Sequence, residues 1–150
     1  MNLWSYAKRT ISGIQDLPDH ENIYGFVYLI QDTETLRSYV GKKVLRNTRK
    51  KKISQKVKKA TGTRKTFEYQ VKESDWQEYY GSSKELLADI QKFGKNRFKR
   101  TILELCCTKK YLSYAELAWQ IKLDVLRSDS YNGNILGRYY TRDMQNCFKK

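Results

Sequence analysis

Two tyrosines and a run of cations stand close together in the first third of this chain, at a spacing that suits work on a phosphate. Tyr28 and Tyr39 are eleven residues apart, and Lys42, Lys43, Arg46 and Arg49 follow directly after Gly41. A phenol can orient or deprotonate a water. With a reference pKa of about 10 it is a poor base unless nearby cations lower it, and Lys42 is the nearest candidate. Arginine offers phosphoryl oxygens a forked, permanently charged donor, a role open to either Arg46 or Arg49.

A hairpin has to bring these groups together. Residues 24–31 form an alternating apolar run of Val, Ile and aromatics, and 37–41 read as a short return strand after the polar turn 31–35. With the turn centred between Thr33 and Glu34, Tyr28 lies opposite Tyr39. Directly opposed antiparallel residues point to one face, so the two phenols share a patch of the sheet.

Charge is unevenly spread. The chain of 150 residues carries a formal net charge of +14, and residues 37–65 hold thirteen basic and no acidic side chains. Lys43, Arg46, Lys50, Lys51, Lys52, Lys56, Lys58, Lys59, Arg64 and Lys65 are the expected nucleic-acid contacts. Such a block draws polyanions by counterion release. No amphipathic anchor accompanies it, which favours nucleic acid over a membrane surface.

At these residues the chain resembles the GIY-YIG nucleases, in particular the phage-type single-domain endonucleases. Phe26-Val27-Tyr28 corresponds to the first half-motif and Tyr39-Val40-Gly41 to the second. The resemblance covers about residues 24–136. It implies a metal-dependent DNA endonuclease, with a tyrosine-activated water and one divalent ion, Mg²⁺ or Mn²⁺, on a glutamate. Glu116 matches that glutamate, Asn132 matches an asparagine near the active centre, and Tyr28 matches the tyrosine commonly assigned as base, with Tyr39 in support. DNA is the implied partner and the expected product carries a 5′-phosphate. No membrane and no small-molecule organic cofactor is expected, a homodimer is left open, and the setting is the cytoplasm of a bacterial or phage-infected cell. The chain departs from the pattern where Phe26 replaces a glycine and where Ile53 stands at a position often held by His or Tyr. No second DNA-binding domain is expected to follow.

The remaining elements read as follows. The fold class expected is α/β (α+β), a small three-stranded antiparallel sheet of residues 24–31, 37–41 and 98–106, flanked by helices at 83–93 and 113–127. Residues 1–23 form an N-terminal extension with apolar residues at loose helical spacing. Residues 24–150 form the nuclease domain, with a basic insertion at about 42–66 that is either a helix built on Ile53, Val57 and Ala60 or a loop ordered on DNA. Ser82 with Glu85, and Ser113 with Glu116, have the spacing of capping boxes, and Gly94 suits a C-cap. A capping glutamate needs no other task, yet a carboxylate held at a helix N-terminus is also oriented for Mg²⁺. The single histidine, His20, excludes histidine-based metal clusters. Cys106, Cys107 and Cys147 give neither a zinc pattern nor a disulfide framework, which points to a reducing interior. Two other functions compete with cleavage: a non-catalytic basic nucleic-acid-binding module, and a small ribosome-associated protein.

Overall fold

The computed structural model describes residues 2–144. Its centre is a mixed sheet of five strands, where the sequence suggested three. Strand β1 (Trp4–Tyr6) pairs antiparallel with β2 (Arg9–Ile11), and β3 (Gly25–Asp32) pairs antiparallel with β4 (Ser38–Val44). The ribbon of β5 (Arg46–Lys52), helix α1 (Gln55–Thr61) and β6 (Phe67–Glu73) follows, then helix α2 (Lys84–Phe93). Strand β7 (Phe98–Cys106) and helix α3 (Lys109–Lys122) lead to a short hairpin of β8 (Asn134–Ile135) and β9 (Tyr139–Tyr140). The strand order is β2-β1-β7-β3-β4, with β1 parallel to β7. The two extra strands come from the N-terminal segment, whose Trp4 and Tyr6 alternate at strand period.

Alternation divides the core between the two faces of the sheet. Phe26, Tyr28 and Ile30 point to one face and pack with Trp4, Trp76, Leu86 and Ile90. Val27 and Val40 point to the other and meet Leu112 and Ala115 of α3. Helix α2 thus covers one face and α3 the other.

Three local boundaries differ from the sequence reading. Ser83, one residue later than expected, caps α2 by accepting from the Leu86 N–H. Helix α3 begins at Lys109, where the Thr108 hydroxyl accepts from the Tyr111 N–H. Ser113 and Glu116 therefore lie inside the helix, and the expected Ser113–Glu116 capping box does not exist. The same helix ends at Lys122, five residues before the expected position. The basic segment is neither wholly helix nor loop: Lys50, Lys51 and Lys52 lie in β5, and only residues 55–61 are helical.

The hairpin centre is displaced as well. Tyr28 pairs with Gly41 and Ile30 with Tyr39, because Leu36 turns at φ 65° and its N–H reaches the Asp32 carbonyl. Asp32, almost fully buried, holds this turn: its carboxylate accepts from the Glu34 and Thr35 N–H groups and from Arg97 at 2.8 Å.

A candidate active site at the sheet edge

Tyr28 and Tyr39 share a face despite the shifted centre, since a slip of two residues preserves the side on which a strand residue points. Their ring centroids lie 6.1 Å apart. Gly41 is what lets them meet: a Cβ there would stand 2.7 Å from Cζ of Tyr28 and collide with its hydroxyl. Tyr28 is 1% exposed, boxed by Trp4, Phe26 and Tyr79. Opposite it, β7 carries one extra residue, Leu103, as a bulge between the Val27 and Tyr28 pairings.

Tyr39 is half-buried and its hydroxyl shares a hydrogen bond of 3.0 Å with Ser82 Oγ. Gly81, at φ 89°, brings that segment against the Tyr39 ring, where a Cβ would sit 3.2 Å from two ring carbons. The strand-to-helix segment carrying Tyr79 and Ser82 is fixed from below by Arg100. This buried guanidinium donates to the carbonyls of Gln77, Tyr79 and Asn2.

Helix α3 supplies the acid. Glu116 and Gln120 are one turn apart on the side that runs beside β4. Glu116 lies 3.9 Å from Lys42 Nζ, which also donates to Ser113 at 3.0 Å. The Glu116 side chain is 21% exposed, and burial pushes its carboxyl above the usual range, against the opposing pull of Lys42.

Asn132 completes the edge strand. Its Oδ1 accepts from the Val40 N–H and its Nδ2 donates to the Val40 carbonyl, both at 2.9 Å, and Gln120 donates to the same carbonyl at 3.3 Å. The Tyr131 N–H donates to the Ser38 carbonyl at 2.7 Å. Residues 130–132 thus run along β4 in the manner of a further strand, locking the position of Tyr39 and Gly41 on either side of Val40.

These elements enclose a recess of about 470 Å³, lined among others by Tyr39, Ser82, Glu116, Gln120, Tyr131 and Asn132. Tyr28 lies behind Tyr39, away from the opening. Burial raises the hydroxyl pKa of Tyr28 well above its ordinary value, and that of Tyr39 less strongly. The expected lowering by Lys42 is absent from both, because that ammonium is turned to Ser113 and Glu116.

The structure therefore gathers Tyr28, Tyr39, Lys42, Glu116 and Asn132. Arg49 stands apart, exposed on β5, where it lines a second recess with Asn47, Gln70 and Lys72. Arg46 donates to the His20 and Ile23 carbonyls, and Lys43 pairs with Asp75 at 2.6 Å while lying over the Tyr79 ring. Lys50, Lys51, Lys52, Lys56, Lys59, Arg64 and Lys65 are exposed on β5, α1 and the loop that follows it, with Lys58 half-buried. Sequence reasoning gives Ser82 to a helix cap and assigns no role at the site to Gln120 or Tyr131. The run Trp76-x-x-Tyr79-Tyr80-Gly81-Ser82-Ser83 is the available signal for the first of these. Cys147 lies outside the described residues.

Among the described residues Glu116 is the only carboxylate lining the recess, and no three His, Cys, Asp or Glu side chains converge anywhere in them. One carboxylate amid hydroxyl and amide oxygens is a hard donor set, suited to a largely hydrated Mg²⁺ or Mn²⁺ and unsuited to zinc. Among the described residues no helix is long and apolar enough to cross a membrane.

No curated protein and no solved structure gives a significant match to this chain. One family model does, that described as "Putative endonuclease segE, GIY-YIG domain", and it matches residues 4–143. The match takes in both tyrosines, the ribbon, the clamped edge strand and Glu116, and the chain belongs to this GIY-YIG endonuclease family.

Proposed function

We propose that this chain is a DNA endonuclease that hydrolyses phosphodiester bonds at the recess beside β4. The carrying observation is the convergence of a half-buried phenol (Tyr39), an ammonium (Lys42) and a recessed carboxylate (Glu116) along one clamped strand. The recess opens beside this covered edge, and the adjoining ribbon carries the positive charge that would hold DNA there.

Each residue has a definable task. Tyr39, the more accessible phenol, orients the attacking water through its hydroxyl, with Ser82 fixing the direction of that group. Tyr28 supports it from behind. Its burial argues against the direct contact with water that a general base needs, so the tyrosine assignment favoured by the family resemblance shifts toward Tyr39. Lys42 faces the phosphoryl oxygens. Asn132 acts through Val40 as a positioning residue, and Arg49 contacts DNA beside the site instead of at the scissile phosphate. Glu116 would hold the divalent ion that family membership implies, which when bound supplies charge neutralisation of the phosphate and help for the leaving 3′-oxygen.

A plasmid-nicking assay with Mg²⁺, with Mn²⁺ and with a chelator tests this. Strand breaks that need a divalent ion and leave 5′-phosphate ends, ligatable without prior phosphorylation, are expected. Tight DNA binding with no breaks under any of these ions would replace the nuclease with the non-catalytic binding module.

A further inference from the structure

The ribbon of β5 and β6 has no core of its own. Every β6 residue and all of β5 beyond Arg46 are exposed, yet all seven residue pairs hold antiparallel register from Arg46–Glu73 to Lys52–Phe67. Its base is firmly tied: Arg46 donates to two carbonyls of the body, and the Ser74 hydroxyl and N–H donate to the Val44 and Leu45 carbonyls. Residues 46–73 contain eleven basic and two acidic side chains. A segment this charged, paired over its whole length and rooted in the fold needs a polyanionic surface to occupy it.

Register decides what each face offers. One face carries Asn47, Arg49 and Lys51 across from Lys72, Gln70 and Glu68. The other carries Thr48, Lys50 and Lys52 across from Val71, Tyr69 and Phe67, with Lys50 Nζ 4.1 Å above the Phe67 ring. The first face holds the amide and guanidinium groups that recognise base edges: Arg pairs with guanine O6 and N7, and Asn or Gln with adenine N6 and N7. Arg49 and Gln70 sit directly opposite each other in that set.

We infer that the ribbon is a sequence-reading arm that enters the major groove of duplex DNA with the Asn47–Arg49–Gln70–Lys72 face on the bases. The inference rests on DNA being the substrate, as proposed above. Dimensions agree: a two-stranded ribbon fits a groove about 12 Å wide, and seven strand residues span roughly 20 Å, on the order of half a helical turn. The opposite face then looks away from the bases, and its Lys50 and Lys52, with the lysines of α1 and the connecting loop, reach flanking phosphates.

The test separates reading from cutting. The full-length protein, in chelator, selects from a random duplex pool, and the enriched DNA is then probed by methylation interference. Enrichment of a short motif is expected, with interference at guanine N7 in the major groove. The double substitution Arg49→Ala/Gln70→Ala should lose the motif and about tenfold to a hundredfold in its affinity, falling to the level of random duplex. Tyr69→Ala should keep the motif. Absence of any motif, interference at adenine N3 in the minor groove, or loss of binding in Tyr69→Ala with a preference for single strands would each overturn the inference. Metal-dependent cleavage at arbitrary sites would then leave the nuclease standing without a reading arm, whereas a read motif without cleavage would do the reverse.

Discussion

The recess beside β4 and the β5–β6 ribbon, whose first strand follows β4 after a single residue, Leu45, are built on opposite rules. In the recess, polar groups are buried and paired: both backbone groups of Val40 are met by Asn132, and Tyr39 is fixed by Ser82. On the ribbon almost nothing is buried, and the side chains that matter face water. Chemistry needs atoms held to a fraction of an ångström, so it sits where strands and helices over-determine each position. Binding a polyanion needs charge and reach. A paired strand free of the core has both, and binding through it would draw its energy from released counterions instead of packing.

That division can be broken most sharply at Glu116. Glu116→Gln keeps the shape and removes the charge, and cleavage should fall by about two orders of magnitude or more, since a bound metal contributes several kcal/mol of transition-state stabilisation. DNA affinity in chelator should hold or rise. Burial shifts this carboxyl upward from its ordinary value, against the pull of Lys42. The acid limb of the wild-type pH–rate profile should therefore be displaced to higher pH than an unperturbed glutamate would give. The same sign means that ionised Glu116 costs the fold stability at neutral pH, so the glutamine variant should unfold at equal or higher temperature there. A glutamine variant that cleaves at the normal rate would remove the carboxylate from the chemistry.

On the ribbon the pattern should invert. Replacing Lys50, Lys51 and Lys52 by Ala should weaken DNA binding across sequences and flatten its salt dependence, by close to one unit of slope for each phosphate no longer neutralised. Metal-dependent turnover at saturating DNA and thermal stability should stay near wild type. An unchanged salt slope, read by titration from low to moderate salt, would mean that this part of the ribbon faces elsewhere.

The smallest effect on binding, and a clear one on stability, belongs to Asn132→Ala. It strands the Val40 N–H in a buried place and should cost about 1–3 kcal/mol in denaturant titrations. Cleavage should drop with it while DNA affinity holds, because the site and the arm are separate.

The hairpin is legible in the chain because of a parity. The turn centre falls one residue later than alternation suggests, which slips the register by two, and a two-residue slip keeps Tyr28 and Tyr39 on the same face. Strand β7 is legible to the residue: Phe98, Ile102, Leu103, Leu105 and Cys106 carry its apolar signal between Gly94 and Thr108. Helix α3 misleads because the S/T-x-x-E pattern nearby starts at Ser113, whereas Thr108 caps the helix without a glutamate partner. The parallel pairing of β1 with β7 joins residues nearly a hundred positions apart and leaves no local mark. The sequence Arg46–Lys52 has almost no strand propensity. It is extended because of β6, whose alternating Phe67, Tyr69 and Val71 carry the signal. Glu116 reaches the site by a different route from the one expected, from the middle of a helix instead of its cap, and Arg49 does not reach it.

The amide of Asn132 has a second consequence, for how copies of the chain can meet. β4 is the last strand of its sheet, and a bare edge is a template for pairing with another molecule. Here Asn132 takes both free groups of Val40, and residues 130–131 take the stretch beside Ser38. A neighbouring strand would have to displace them, so the edge that carries the candidate site is sealed against strand-to-strand growth. The opposite edge of the sheet is the three-residue β2, too short to template much. Association of two copies by sheet extension is thus blocked where it would bury the candidate recess.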